Sequence, residues 1–336
     1  MTFPPCAARS VLVLASALSV SWDVVAEMSL SWRPESRGNH SVYLTATEVE
    51  LHRVACGTDK LLAQPEIDLD DAATVLDSKD RSMRNLKVIL SYDGAEFSGW
   101  QVQPDASTVQ GTLVSAIGRI TGEKVLPQGS GRTDAGVHAL AQVMTFVTES
   151  SVPTKNFAKA LNDILPPSVR VLEVVEAPLE FHARHSARAK TYRYRIDREA
   201  ICPPFLARYV WHYPYPLDED SMARAAPLVV GEHDFTSFAA VDPERGRGEA
   251  AVSAPVSNVR KVFSSSWERV GDELVYTVRG SGFLHHMVRN LVGTFILVGR
   301  GTLQVEDIAR ILAARNRSAA GATAPASGLY LVSVEY

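Results

Sequence analysis

The sequence predicts an α+β fold: two related halves around a mainly antiparallel sheet with flanking helices. Three observations carry this. From residue 85 onward, stretches of period-two hydrophobicity and stretches of three-to-four spacing alternate irregularly. Several strand pairs are joined by short turns, such as the one at Gly271–Asp272, which suits antiparallel neighbours and not the crossovers of a doubly wound sheet. The series also runs through two similar rounds, with a division near Pro214–Leu217.

In the first round, "LKVILSY" is rich in β-branched residues and ends at Asp93–Gly94, which marks a strand. "STVQGTLVSAIGRITG" reads as a helix that Ser107 or Thr108 can cap and Gly122 stops. "QVMTFVTE" is a second strand. "TKNFAKALNDIL" is a helix closed by Pro166–Pro167, and "VRVLEVVEA" and "KTYRYRID" are strands. In the second round, "DEDSMARAAPLVVG" is a helix with Pro227 near its end. "VRKVFSSSWERV" and "DELVYTVRG" are paired strands. "FLHHMVRNLVGTFILVGRG" reads as a long, largely buried helix, "VEDIARILAAR" as a surface helix and "GLYLVSVEY" as the closing strand. The expected organisation is therefore residues 1–82 as an N-terminal extension, 83–214 as one half and 215–336 as the other.

The extension stands apart in composition. Residues 1–82 hold 12 acids and 7 bases, whereas residues 83–336 hold 26 acids and 27 bases. The formal net charge of −4 thus says little about the globular part, whose basic residues are clustered. The apolar run "VLVLASALSV" is too short for a membrane span. Its length suits a secretory core, and the acid-free first 22 residues suit a transit peptide, but both lack the usual positive charge. A targeting segment, a disordered extension and a mis-assigned start before Met83 all stay open; a cytoplasmic location is expected, with organellar targeting as the alternative. About 46% of the chain is apolar and 21% charged, as in proteins with a full core. Cys6, Cys56 and Cys202 are far apart and fit neither a zinc spacing nor a disulfide framework.

Three stretches are candidates for chemistry. "GSGRTDAGVHAL", residues 129–140, has neither strand alternation nor helical spacing. It is not a phosphate-binding loop, because no Lys and Ser/Thr follow its glycines. It is either a tight turn with a surface ion pair or a site in which glycines allow close approach. A carboxylate beside a guanidinium, as Asp134 is beside Arg132, tends to stay ionised, which suits a nucleophile or an electrostatic anchor and not a proton donor. "FHARHSARAKTYRYR", residues 181–195, has five Arg/Lys, two histidines and no acid. Period two puts Tyr192, Tyr194 and Ile196 on one face and Arg193 and Arg195 on the other. Basic residues mixed with aromatics suit a phosphate backbone with stacked bases; the plainer reading is a solvated basic edge strand. In "GFLHHMVRNLVG", a helix would place His285 and Arg289 at i, i+4. Adjacent helical histidines point in different directions, so no metal is expected there. Arg289, one turn before an apolar run, needs a partner, and a catalytic carboxylate is one candidate. Trp100 in "YDGAEFSGWQ" reads as a core residue before a substrate ring, and "HDFTSF" reads as structural.

In their order along the chain, "YDGAEFSGWQ", "GRTDAGVHA", "FHARHSA", "KTYRYRI", "HDFTSF", "FLHHMVRNLVG" and "GLYLVSVEY" resemble the TruA-type tRNA pseudouridine synthases. The resemblance runs from about Leu86 to Tyr336, with no departure at the motif positions; residues 1–82 have no counterpart. It implies isomerisation of uridine to pseudouridine at positions 38, 39 and 40 in the anticodon stem-loop of tRNA. It also implies a basic cleft between the two halves, a homodimer with one tRNA touching both subunits, no membrane association and no metal or other cofactor. Asp134 would be the nucleophile and Arg289 its pairing partner. Tyr192 would stack on the target base and assist proton transfer, and Arg132 would contact substrate or help to flip the base. Two other classes compete: a tRNA-binding module without catalysis, which loss of Asp134, Tyr192 or Arg289 would favour, and an aspartate-nucleophile hydrolase, for which His138 is the nearest base in sequence.

Overall fold

A single sheet runs through the computed structural model, which describes residues 83–241 and 257–336. The expectations for residues 1–82 lie outside the described residues. The strands are β1 (Arg84–Tyr92), β2 (Gln128–Gly129), β3 (His138–Thr148), β4 (Val169–Ala177), β5 (Ala189–Asp197), β6 (Trp211–His212), β7 (Gly231–Asp234), β8 (Val259–Val270), β9 (Glu273–Gly280) and β10 (Leu329–Glu335). Their spatial order is β4-β1-β3-β10-β5-β9-β8-β7, with β2 beside β3 and β6 beside β5. All neighbours are antiparallel except the pairs β10–β3 and β5–β6. The fold is the α+β class that the sequence predicts. The closing strand β10 inserts between β3 and β5, so the last strand pairs with two strands from residues 83–214 at the centre of the sheet.

The helices are α1 (Val109–Thr121), α2 (Thr154–Ile164), α3 (Glu219–Ala225), α4 (Met287–Gly299) and α5 (Asp307–Ala314). Thr108 caps α1, its hydroxyl accepting the Gly111 N–H at 3.2 Å, and Gly122 ends the helix in the left-handed region. Pro227 converts the end of α3 into a 3₁₀ turn over Ala226–Val229, because proline cannot donate the next helical hydrogen bond.

Alternation sets the layers. Leu86, Val88 and Leu90 on β1 and Met144 and Phe146 on β3 share one buried face, where Phe157 of α2 meets Phe146 at 5.9 Å between ring centroids. At the other end, Phe295 of α4 packs 5.4 Å from Tyr276 on β9. The opposite face leaves Leu140 and Val147 exposed. Helices therefore cover one face, with α1 and α2 toward β1–β4 and α4 toward β8–β9. Tyr192 of β5 lies between these two groups on the helix-covered face.

The strand β5 is central, so the reading of "KTYRYRID" as a basic edge strand does not hold. Its alternation also divides its charges. Arg193 and Arg195 face away from Tyr192, and Arg195 is held by Glu273 through Nε–Oε2 (2.7 Å) and Nη2–Oε1 (2.5 Å). Two other boundaries differ from the sequence pattern. The strand β3 starts at His138, four residues early, because Ala-rich "HALA" lacks the bulk that signals a strand. The helix α4 starts at Met287, after the histidine pair.

Eleven of the thirteen residues of α4 are buried, so the helix is covered by chain on nearly every side. Gly293 makes that possible on one side: a Cβ there would lie 1.8 Å from the Ala322 carbonyl oxygen. Gly293→Ala is expected to cost about 3 kcal/mol, because backbone and not a flexible side chain blocks the methyl group. Urea unfolding of the variant against wild type checks this; a loss under about 0.5 kcal/mol would show that the 320s segment yields.

Candidate active site

The loop between β2 and β3 carries Asp134, and much of its backbone is held. The Ser130 N–H donates to the Val143 carbonyl (2.7 Å), and the Ser130 hydroxyl donates to Gln142 Oε1 (2.6 Å). The Gln142 side-chain amide donates to the Gly131 carbonyl (2.9 Å). The Trp100 N–H donates to the Thr133 carbonyl (3.0 Å), and the Thr133 hydroxyl meets the Tyr92 hydroxyl at 2.8 Å. Burial pushes the Tyr92 phenol up to about 12, so it works as a neutral hydrogen-bonding group. Gly94 lets the loop close in, since a Cβ there would stand 2.0 Å from the Val137 carbonyl oxygen. Trp100 is buried beneath Gly129, which makes it the core residue that the sequence suggests.

The helix α4 brings the partner. Arg289 Nη1 donates to Asp134 Oδ2 at 2.9 Å, across 155 residues of sequence, and its Nε donates to the Ala324 carbonyl at 2.8 Å. Both side chains are largely buried but keep an outlet to solvent. The next residue anchors this turn. Asn290 is fully buried; it donates to the Phe238 carbonyl (2.7 Å) and accepts from Arg317 Nη2 (3.0 Å) and the Thr323 hydroxyl (2.7 Å). "HDFTSF" thus serves structure: Phe235 and Phe238 are core, and the Phe238 carbonyl holds Asn290.

The histidines correct a sequence expectation. In a helix they would diverge, but His286 is left-handed (φ 56°, ψ 5°) and precedes α4. Their rings lie side by side, centroids 4.0 Å apart, and both point at the carboxylate. His285 Nε2 is 3.6 Å from Asp134 Oδ1, and His286 Nε2 is 3.3 Å from Oδ2. Burial lowers the His286 pKa, outweighing the Asp134 charge, which raises it. Asp134, His285 and His286 are donors a divalent ion can take, and their ligand atoms lie within 4.8 Å of one another. The guanidinium on Oδ2 already supplies positive charge and would repel a dication, so the residues do not favour a metal.

Tyr192 is 7% exposed and edge-on to Phe283, ring centroids 5.0 Å apart. Its phenol pKa is raised above the usual range by burial, then by Tyr92 and the Asp134 charge. Arg132 is exposed on the loop, two residues before Asp134. Lys190, on the face of Tyr192, donates from Nζ to the Ser130 carbonyl at 2.5 Å; burial, then Arg184 and Arg260, bring its amine down to about 8. Among the described residues, the structure therefore gathers Asp134, Arg289 and the histidines, and turns Arg193 and Arg195 away. Sequence reasoning missed Tyr92, Gln142 and Asn290; a glutamine inside an apolar strand and an asparagine inside an apolar helix were the available signals. Two surface clefts, one lined by Asn85, Phe146 and Phe181 and one by Arg193, Arg195 and Tyr330, do not include Asp134.

His138 is not a base for Asp134. Its ring is buried and stacks on Tyr330 at 4.8 Å. The Gly94 N–H donates to Nδ1 at 3.1 Å, which requires a lone pair there, so Nε2 carries the proton toward the Arg208 carbonyl at 3.2 Å. Asp93 Oδ1, 3.2 Å from Nδ1, would favour an imidazolium, but burial outweighs it and lowers the pKa.

The model of a family described as tRNA pseudouridine synthase matches residues 88–186 and 225–336. A tRNA pseudouridine synthase A of Solibacter usitatus is 51% identical over 254 residues, covering 76% of this chain and 100% of its own. Those of Brevibacillus brevis and Moorella thermoacetica are each 46% identical over 254 residues, covering 76% and 75% of this chain and 100% and 99% of their own.

Nitrogen-15 NMR of His138 should show the proton on Nε2 and a titration midpoint below the ordinary histidine value of about 6.5. A neutral ring in the folded state means that its contribution to stability is complete above pH 6.5 and is lost as pH falls through the lowered pKa. A midpoint above the ordinary value would mean that Asp93 holds it as an imidazolium.

Proposed function

The chain belongs to the tRNA pseudouridine synthase A family, and on that premise we propose that it isomerises uridine at positions 38, 39 and 40 of the tRNA anticodon stem-loop. As an isomerase of class EC 5.4.99.12 it detaches uracil from its sugar, turns it and rejoins it through carbon 5. The observation that carries the site assignment is the Asp134–Arg289 pair, a largely buried carboxylate on a held loop with a guanidinium at 2.9 Å.

Asp134 is the nucleophile and Arg289 orients it, leaving Oδ1 toward the substrate. Tyr192, neutral and packed on Phe283, offers its ring for stacking on the target base. The base must first leave its stack, which costs a few kcal/mol, and exposed Arg132 contacts the RNA during that step. The cleft between residues 83–214 and 215–336 receives the stem-loop, with Lys190, Arg184 and Arg260 supplying positive charge near the loop. Among the described residues no helix is long and apolar enough to cross a membrane. A cytoplasmic homodimer with one tRNA touching both subunits follows from the resemblance to the family.

Wild-type chain should release tritium from tRNA labelled at carbon 5 of uridine. Asp134→Asn should abolish release while tRNA binding, read by filter retention, persists; unchanged release would remove Asp134 as nucleophile. Arg289→Ala should lower turnover about 100-fold, the scale of losing one positioned charge, with a much smaller change in affinity. A loss confined to affinity would make Arg289 a phosphate contact. Mapping of pseudouridine in the product tRNA reads the positions.

A further inference from the structure

Pseudouridine formation ends with the loss of a proton from carbon 5, and the site must hold an acceptor for it. This rests on the reading above. Whichever carbon Asp134 attacks, ring carbon 6 or sugar carbon 1′, carbon 5 is one bond away when the new glycosidic bond has formed. The acceptor is therefore that carboxylate or a group beside it, and an imidazole is by nature the stronger base of the two.

The groups around that carboxylate differ in what they can accept. Arg289 is a donor bound to Oδ2. The Tyr192 phenol keeps its proton, because burial and the neighbouring charge raise its pKa above the usual range. The Lys190 amine is turned to the Ser130 carbonyl, and His138 is buried against Tyr330. His286 faces Oδ2, the oxygen that Arg289 already holds.

His285 is different. Its Nδ1 lies 3.0 Å from the Val241 carbonyl oxygen, which can only accept, so Nδ1 carries the proton. Whenever the ring is neutral its lone pair is then on Nε2, 3.6 Å from Asp134 Oδ1, the oxygen that Arg289 leaves open. The ring is 28% exposed, so solvent and substrate can reach it. The Ala240 N–H holds its main chain, donating to the His285 carbonyl at 3.0 Å. The left-handed backbone at His286, a conformation non-glycine residues adopt at a cost, aims both rings this way. A base with its tautomer set by a carbonyl acceptor is an arrangement that general-base catalysis uses.

We infer that His285 Nε2 accepts the carbon-5 proton in the last chemical step, with His286 orienting the carboxylate. The C5–H bond breaks and its electron pair forms the 5,6 double bond; carbon 6 in turn gives up its other bond, the N1=C6 π pair moving to N1 or, where Asp134 had attacked carbon 6, the C6–O pair returning to the carboxylate, and Nε2 gains the proton. N1 of the rejoined uracil takes a proton from solvent, so the isomerisation balances. The imidazolium formed sits 3.6 Å from Asp134, which stabilises it until the proton passes to water.

The test uses full-length chain and tRNA carrying protium, deuterium or fluorine at carbon 5 of the target uridine. His285→Gln should turn over about 100-fold more slowly on the protium substrate, with tRNA affinity within about threefold of wild type. It should show a primary deuterium isotope effect that wild type lacks. The 5-fluoro substrate has no proton to lose at that carbon, so its conversion to the rejoined adduct should proceed at the wild-type rate. His285→Gly should regain turnover with added imidazole, an outcome a packing role would not produce. Equal slowing of the protium and fluoro substrates would overturn the inference, because His285 would then act on an earlier step. So would unchanged turnover in both variants. A wild-type chain that makes no pseudouridine at all would overturn the functional reading itself, and the inference with it.

Discussion

One interaction organises this molecule: the Asp134 carboxylate against the Arg289 guanidinium. A charge pair largely removed from water is useful only when both partners are held, because either one alone would be an uncompensated charge. Asp134 sits on a loop with little regular structure, so the loop is tied to Gln142, Val143, Tyr92, Trp100 and Lys190. Arg289 sits at the first turn of α4, so that turn is tied to Ala324 and, through Asn290, to Phe238, Arg317 and Thr323.

The sheet makes these two anchors possible. The strand β3 follows directly from the loop, and β10 pairs with it on the other side, continuing from the 320s segment that grips Arg289. The loop and the helix therefore share a common frame, although 155 residues separate their key side chains. Close approaches complete it. Gly94 admits Val137, and Gly293 admits Ala322, and in both places backbone meets backbone with no room for a methyl group.

The histidine pair shows how a small departure from regular structure changes chemistry. Helical geometry would splay His285 and His286 by roughly 100°. A single left-handed residue instead lays their rings together and directs both toward one carboxylate. The carboxylate then has a donor on one oxygen and a lone pair facing the other, an asymmetry that neither the composition nor the spacing of "FLHHMVR" contains.

The α+β class, most of the strands and helices, and the loop with its carboxylate were legible because they are local. Alternation on β1, three-to-four spacing on α1 and the glycines around Asp134 each speak within a dozen residues. The alternation of "KTYRYRID" likewise separated Tyr192 from Arg193 and Arg195 correctly, but could not say that the strand is central or that Glu273 takes up Arg195. The early start of β3 was illegible because alanine carries little strand signal, and the late start of α4 because one residue's left-handed backbone leaves no trace in hydrophobic spacing. By itself, then, the sequence determined which faces are apolar, where the chain turns and that a carboxylate lies on a glycine-rich loop. The resemblance already named Arg289 as the partner of that carboxylate; only the tertiary structure decided which oxygen the guanidinium takes and that two imidazoles face the carboxylate, because those contacts depend on strand order and backbone hand, and both are settled by packing between segments far apart in the chain.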